Sequence, residues 1–181
     1  AIINLIFQTN FIWKITPIIL LSIIHPIFNY CIFNMNTNVE FGLCCINTAL
    51  RETKPSVFVN RTCRLQTAVD NGLDHIKKLS TQNLKDCAKL IDWNDKHDIT
   101  AYRLSSDMLP HFSNPAYSDY NYSLDFARPY LYDIGSKAYE YGQRLSMHPG
   151  QYNQIGAPSE DVFNKTVIDL SCHAEILDVI E

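Results

Sequence analysis

The sequence predicts an α/β fold built on a parallel sheet, and three observations predict it. Short β-rich runs at 39–47, 99–105 and 144–148 alternate with longer segments whose apolar residues repeat at helical spacing. The resulting order of strand, helices, strand, helix, strand, helix is that of right-handed βα units. Polar residues stand just after each strand, where such folds bind ligands. Three units cannot close a barrel of eight, so the sequence describes either a small open sheet or a partial TIM (β/α)8 barrel, its first three to four βα units.

Each element has its own local reason. Residues 39–47, Val-Glu-Phe-Gly-Leu-Cys-Cys-Ile-Asn, are nearly continuous in apolar character, as in a strand buried on both faces. Thr48 to Arg64 is polar, contains Pro55 and has no period, which makes it a loop of the length usually kept for function. Leu65, Val69, Leu73, Ile76 and Leu79 then share one helical face, with Gly72 weakening the helix without breaking it. Ser80 or Thr81 is expected to cap a second helix, in which Leu84, Cys87, Ala88, Leu90, Ile91 and Trp93 repeat up to the polar run 94–98. Ile99 to Ser105 reads as strand. An aromatic loop from His111 to Tyr122 leads to a helix from about Ser123 to Tyr141, closed by Gly142. Arg144 to His148 is the third strand, ended by Pro149-Gly150. A last helix opens at Pro158-Ser159-Glu160-Asp161, where acidic residues suit the helix dipole.

Composition bounds the function classes. The 181 residues are 46% hydrophobic and 19% charged, which excludes a disordered charged tail and allows one packed core. A net charge of −4 and a pI near 5.8 carry no global signature for nucleic acid, so binding a polyanion requires a local basic patch or bound cations. The six cysteines form no CxxC pair, and the adjacent Cys44-Cys45 suits neither zinc-finger spacing nor an easy mutual disulfide; they read as reduced thiols in an intracellular compartment.

The first 34 residues stand apart. They hold eleven isoleucines and one charged side chain, Lys14. The uncharged stretch from Ile15 to Phe33 has the nominal length of a membrane span, yet Pro17, His25, Pro26 and Asn29 argue against one, and no small-residue cleavage site follows. Residues 1–34 are read as a non-domain leader, translated from sequence upstream of a start at Met35, with a signal anchor as the alternative; 35–181 is the domain.

At the strand ends, His148 followed by Pro-Gly and by Gln151-Tyr152 fits a metal ligand beside an aromatic that stacks on a flat substrate. His111 stands after the second strand, and a structural, hydrogen-bonded role competes at both positions. His75, His97 and His173 are assigned to surface or helix packing. Tyr117, Tyr120 and Tyr122 form either a base-stacking platform or a loop packed on its own scaffold. Arg64, Arg103 and Arg144 lie near strands and suit phosphates or, equally, carboxylates.

From Phe41 onward these segments resemble the UV damage endonuclease family. The resemblance is carried by Gly42-Leu43-Cys44-Cys45-Ile46-Asn47, Thr62-Cys63-Arg64, Asn83-Leu84, Ile91-Asp92-Trp93-Asn94, Tyr102-Arg103-Leu104-Ser105-Ser106 with Pro110, and Arg144-Leu145-Ser146-Met147-His148-Pro149-Gly150-Gln151-Tyr152. It implies a TIM barrel of the xylose-isomerase-like kind, with a cluster of divalent metals, usually manganese, that incises double-stranded DNA 5′ to ultraviolet photoproducts. By position, His148 corresponds to a metal ligand, Gln151 and Tyr152 to a pair that wedges into the duplex, and Asn47 to a residue that helps probe the lesion. Leu43 stands where many members have Tyr, and Asn114 where many have a ligand histidine, leaving His111 as the nearby candidate. Family members continue through a second half that completes the metal cluster, so the expectation is an N-terminal part that is inactive alone. It would work without an obligate protein partner or a membrane, as a monomer when complete, in the nucleus or wherever DNA is housed. The alternatives are an AP-endonuclease-like or sugar-isomerase-like barrel and a non-catalytic lesion-binding fragment.

Overall fold

The computed structural model describes residues 40–114 and 122–181. The expected leader, Tyr117 and Tyr120 lie outside the described residues. Three strands, β1 (Phe41–Cys44), β2 (Ile99–Ser105) and β3 (Arg144–His148), pair in parallel in the order β1-β2-β3. Between and after them come α1 (Thr48–Arg51), α2 (Leu65–Asp95), a 3-10 turn at Ser106–Met108, α3 (Arg128–Glu140) and α4 (Glu160–Ile180). The α/β alternation and the parallel sheet expected from the sequence are both present.

Register sorts the side chains. Leu43 pairs with Tyr102 and Tyr102 with Leu145, while Leu104 pairs with Met147. With a side-chain period of two, these residues share the face turned to the helices. There Leu84, Leu90 and Ile91 of α2, Leu131 and Ile134 of α3, and Ile176 of α4 close the core around Tyr102 and Leu104. Fully burying each Leu or Ile contributes roughly 1.5–3 kcal/mol. The other face carries Cys44, Arg103, Ser146 and His148, and among the described residues no helix covers it. That corrects the reading of the first strand as buried on both faces: β1 is a four-residue edge strand, and Phe41 is 67% exposed.

The helices also depart from expectation in three places, the first being α1, which forms at Thr48–Arg51 inside the segment expected as loop, capped by Asn47. The break in the long helical segment is at Gly72, whose φ of 72° a side chain with a Cβ rarely adopts, and not at Ser80. Ser80 sits inside the continuous part of α2, donating to the Ile76 carbonyl at 2.9 Å and meeting the Tyr122 hydroxyl at 3.0 Å. Leu65 and Val69, before the break, are exposed, because the change of direction at Gly72 turns their face off the core. The third helix starts at Arg128 rather than Ser123, with a turn at 124–127 closed by Ala127 donating to the Leu124 carbonyl. Its end is as expected: Gly142 takes φ 63°, and the Gly142 and Gln143 amides donate to the carbonyls of Tyr139 and Ala138, the two bonds of a Schellman motif.

The helices α3 and α4 approach through Gly135. A Cβ built there would lie 1.8 Å from the Ile180 carbonyl oxygen, so only hydrogen fits. Among the described residues no helix is long and apolar enough to cross a membrane. Gly135→Ala is expected to lower stability by about 2–3 kcal/mol through forced separation of α3 and α4. Gly156→Ala, where nothing lies within 4 Å, should leave the urea midpoint nearly unchanged. Equal midpoints for both variants would show that the helix contact is not a constraint.

Candidate functional site

Parallel pairing brings the carboxyl ends of all three strands to one edge, and the segments that follow them form the site. Two of these segments are anchored on α2. Asn83 is fully buried: its Oδ1 accepts from the Arg61 amide at 3.0 Å, and its Nδ2 donates to the carbonyls of Arg61 at 2.9 Å, Met108 at 3.2 Å and Asp107 at 3.3 Å. One turn along, buried Asp86 pairs with the Arg61 guanidinium at 2.7 Å and with Lys89 at 2.9 Å. The loop after β1 and the turn after β2 are therefore held to the same helix face.

The segment after β3 is anchored on α4. Asp169 accepts from the Ser113 hydroxyl at 2.6 Å and from Asn153 Nδ2 at 2.5 Å, so it ties the β2 loop to the β3 loop. Thr166 Oγ1 accepts from the Gln154 amide at 3.0 Å. These groups bound a cavity of about 500 Å³, lined by Asp107, His111, Asn114, Asn153, Asp169 and His173 among others.

His173 is a cavity residue that the sequence reading assigned to surface or helix packing. It is only 6% exposed, and its Nδ1 has no hydrogen bond, lying 3.8 Å from Asp169 Oδ2. Burial holds its pKa below the usual 6.5, Asp169 opposing and His148 adding to the depression. The available signal was the stripe Val162, Thr166, Asp169, His173, Ile176 at helical spacing. Its three polar members hid it from a search for apolar faces.

The other expected site residues fall in several places. His148 ends β3, opposite Ser105 in register, and stands with Cys44 and Cys45: one ligand atom from each of the three lies within 4.8 Å of the others. Burial, with the neighbouring Cys44 thiol, pushes the Cys45 thiol up to about 12, against the pull of Arg103. His111 is turned toward the segment before α2, its Nε2 donating to the Cys63 carbonyl at 2.9 Å, and it is not part of the Cys44-Cys45-His148 group. Asn47 is buried and caps α1, its Oδ1 accepting from the Leu50 amide at 2.9 Å, while its Nδ2 has no hydrogen-bond partner. Gln151 and Tyr152 project from the turn after β3, and Tyr152 is 80% exposed. Tyr122, by contrast, is packed against Phe112 and Phe126.

Of the three arginines, Arg64 lies at the start of α2 and Arg103 is on the open sheet face, its Nε donating to the Met147 carbonyl at 3.4 Å. Arg144 begins β3, at the opposite end of the strand from His148.

The donor set tests the manganese that the resemblance implies. A hard cation takes oxygen and imidazole ligands, several of them carboxylates. Among the described residues, the groups gathered with His148 at ligand distance are two thiols. They do not compose a manganese site.

Because the folded state holds His173 neutral, its unfolded form binds a proton first as pH falls. Stability present above pH 6.5 is therefore lost as pH falls through that value toward the lowered folded pKa. His173→Gln should flatten this decline in urea midpoints measured between about pH 7.5 and 5.5; an unchanged slope would remove His173 as its source.

Comparison with known proteins is consistent with this geometry. The family model described as UV-endonuclease UvdE matches residues 39–181. The UV-damage endonuclease of Schizosaccharomyces pombe is 45% identical over 138 residues, covering 76% of this chain and 22% of that protein. A putative UV-damage endonuclease of Acanthamoeba polyphaga mimivirus is 37% identical over 147 residues, covering 81% of this chain and 44% of the relative. The crystal structure of SacUVDE superposes with a TM-score of 0.67 at 28% identity, over 79% of this chain and 46% of that one. The chain thus spans between about a fifth and a half of the length of these relatives.

Proposed function

The chain belongs to the UV-endonuclease UvdE family, and on that premise we propose that it is the N-terminal, lesion-probing part of a DNA repair endonuclease that cuts 5′ to ultraviolet photoproducts. The observation that carries the reading is the Gln151-Tyr152 pair. A tyrosine ring 80% exposed on a short turn, beside a cavity at the strand ends, is placed for burial against a partner. A base step weakened by a photoproduct supplies a flat partner, and the ring replaces the stacking lost when bases are displaced. Asn47, which the family resemblance assigns to lesion probing, stands at the neighbouring strand end with its Nδ2 buried and unpartnered. Arg103 and Arg64, with the N-terminus of α2, supply positive potential for the phosphates; this local charge is needed because the chain is net acidic. Arg144, at the far end of β3, has no part in it.

Manganese enters this reading only through His148, which would give it one imidazole. No step of hydrolysis is assigned to the residues of this segment, and the 181-residue chain is expected to bind without cutting. The working partner is ultraviolet-damaged double-stranded DNA, met as a monomer in whichever compartment holds the genome.

In fluorescence anisotropy, the full chain should prefer a duplex carrying a single photoproduct over the same duplex undamaged. Tyr152→Ala should reduce that preference roughly 5- to 100-fold, the value of losing one base-aromatic stack. Equal affinity of the unmutated chain for the two duplexes would overturn the lesion-probing role.

A further inference from the structure

The Gln151-Tyr152 pair occupies the apex of a turn that is held from outside itself. The Asn153 amide donates to the Gly150 carbonyl at 3.1 Å, which makes residues 150–153 a β-turn with Gln151 and Tyr152 as its two central residues. Both are exposed, so packing does not fix their direction. The two residues that follow are seated on α4. Asn153 Nδ2 donates to Asp169 Oδ2 at 2.5 Å, and the Gln154 amide donates to Thr166 Oγ1 at 3.0 Å, whose hydroxyl in turn donates to the Val162 carbonyl at 2.9 Å. A spacing of three puts Thr166 and Asp169 on one helical face. The second oxygen of Asp169 is committed elsewhere: Oδ1 accepts from the Ser113 hydroxyl, in the loop after β2, at 2.6 Å.

One carboxylate therefore takes a donor from each of two loops, which an acceptor-only side chain with two oxygens can do. The Asp169 side chain is 22% exposed, which limits the access of competing water. An acidic group beside a surface that meets DNA works against affinity for any duplex, so its contribution here is geometric. We propose that Asp169 is a positioning residue for lesion discrimination: through Asn153 and Ser113 it holds the Gln151-Tyr152 turn and the loop after β2 in one arrangement, so that Tyr152 meets a photoproduct without first being ordered. The inference rests on the lesion-probing role proposed above and names the residue outside the turn on which that role depends. Ordering the backbone of one residue on binding weakens affinity about 5- to 30-fold. That cost falls on the damaged duplex, which uses the apex ring, and not on the undamaged one, which is held by phosphate contacts.

The test uses the full 181-residue chain and fluorescence anisotropy on a duplex carrying one photoproduct and on the same duplex undamaged. Asp169→Ala should lower the preference for the damaged duplex about 5- to 30-fold, while affinity for the undamaged duplex stays equal or rises with the loss of negative charge. Asp169→Asn removes the same charge but can still accept from one loop through Oδ1 and donate to the other through Nδ2, so it should keep most of the preference. In a chain already carrying Gln151→Ala and Tyr152→Ala, adding Asp169→Ala should lower the preference no further. Hydrogen exchange followed by mass reads the tie without DNA: in Asp169→Ala a peptide spanning 150–156 should exchange about tenfold faster or more, with β3 unchanged. Should Asp169→Ala fail to fold, Asn153→Ala cuts the tie from the turn side and should give the same two results. Full preference retained in Asp169→Ala, a loss in Asp169→Asn as large as in Asp169→Ala, or a further loss in the chain without the apex pair would each overturn the positioning role. Equal affinity of the unmutated chain for the two duplexes would instead sink the lesion-probing reading, and unchanged exchange at 150–156 would by itself decide against the tie.

Discussion

The placement of the strand-end segments depends on one buried amide. Asn83 has no access to solvent, and its side chain fastens backbone groups of Arg61, Asp107 and Met108, which belong to two different βα connections. Each of those backbone groups would cost about 1–3 kcal/mol if left buried without a partner, so the amide cannot be replaced by an apolar group of similar size. Asp86 lies three residues on, hence on the same helical face, and its ion pair with Arg61 secures the first loop a second time. Breaking a buried pair by removing one partner costs about 3–5 kcal/mol, because the remaining charge stays desolvated. The third loop uses another helix in the same way, through Asp169 and Thr166. Loops that carry function are thereby given the fixed positions that loops do not provide for themselves.

The second constraint is the one-sidedness of the sheet. Helices cover the face of Tyr102, Leu104 and Met147, and the opposite face presents Cys44, Arg103, Ser146 and His148. In a closed (β/α)8 barrel that opposite face is the interior, and the strand ends open into the site. Phe41 on the edge strand, and Phe163, Val167 and Ile168 on α4, are exposed apolar positions of the kind that adjacent βα units cover in such a barrel. The polar character of the inner face and its apolar rim fit the SacUVDE likeness, which extends over 46% of that chain.

Sequence pattern was legible where a single period dominated. The limits of β2 and β3 coincide with the expected ones, because each is a short β-rich run between turn residues, and Gly142 stops its helix as its position indicated. Pattern failed where tertiary contacts decided. Ser80 has the chemistry of a cap, but its hydroxyl bonds Tyr122 from the middle of a helix; the break moved to Gly72, where the backbone needs a positive φ. Asn83, Asp92 and Asn94 stood out only as residues of a family motif. The structure gives them structural work: Asp92 accepts from Lys137 at 2.6 Å, and Asn94 donates to Gln143 at 3.3 Å. Polar residues buried as tie points look, in sequence, the same as polar residues in solvent. His173 is the case in point: of the two places expected for it, surface or helix packing, the structure gives the buried one, at the edge of the cavity.

The cysteine pair shows the limit most clearly. Spacing rules for metal sites describe ligands that neighbour one another along the chain, and by those rules Cys44-Cys45 holds nothing. What gathers them with His148 is the parallel register of three strands together with one unfavourable backbone conformation. A non-glycine residue in the left-handed region costs on the order of 1–3 kcal/mol, and it persists only where the surroundings over-determine it. The surroundings here are the Arg103 carbonyl, the hydroxyl of Tyr102, and the packing that buries that tyrosine in the main core. Core burial offsets the strain of the turn at Cys45, whose φ is 56°. The convergence of the two thiols is thus a property of the fold itself, held in place by the core.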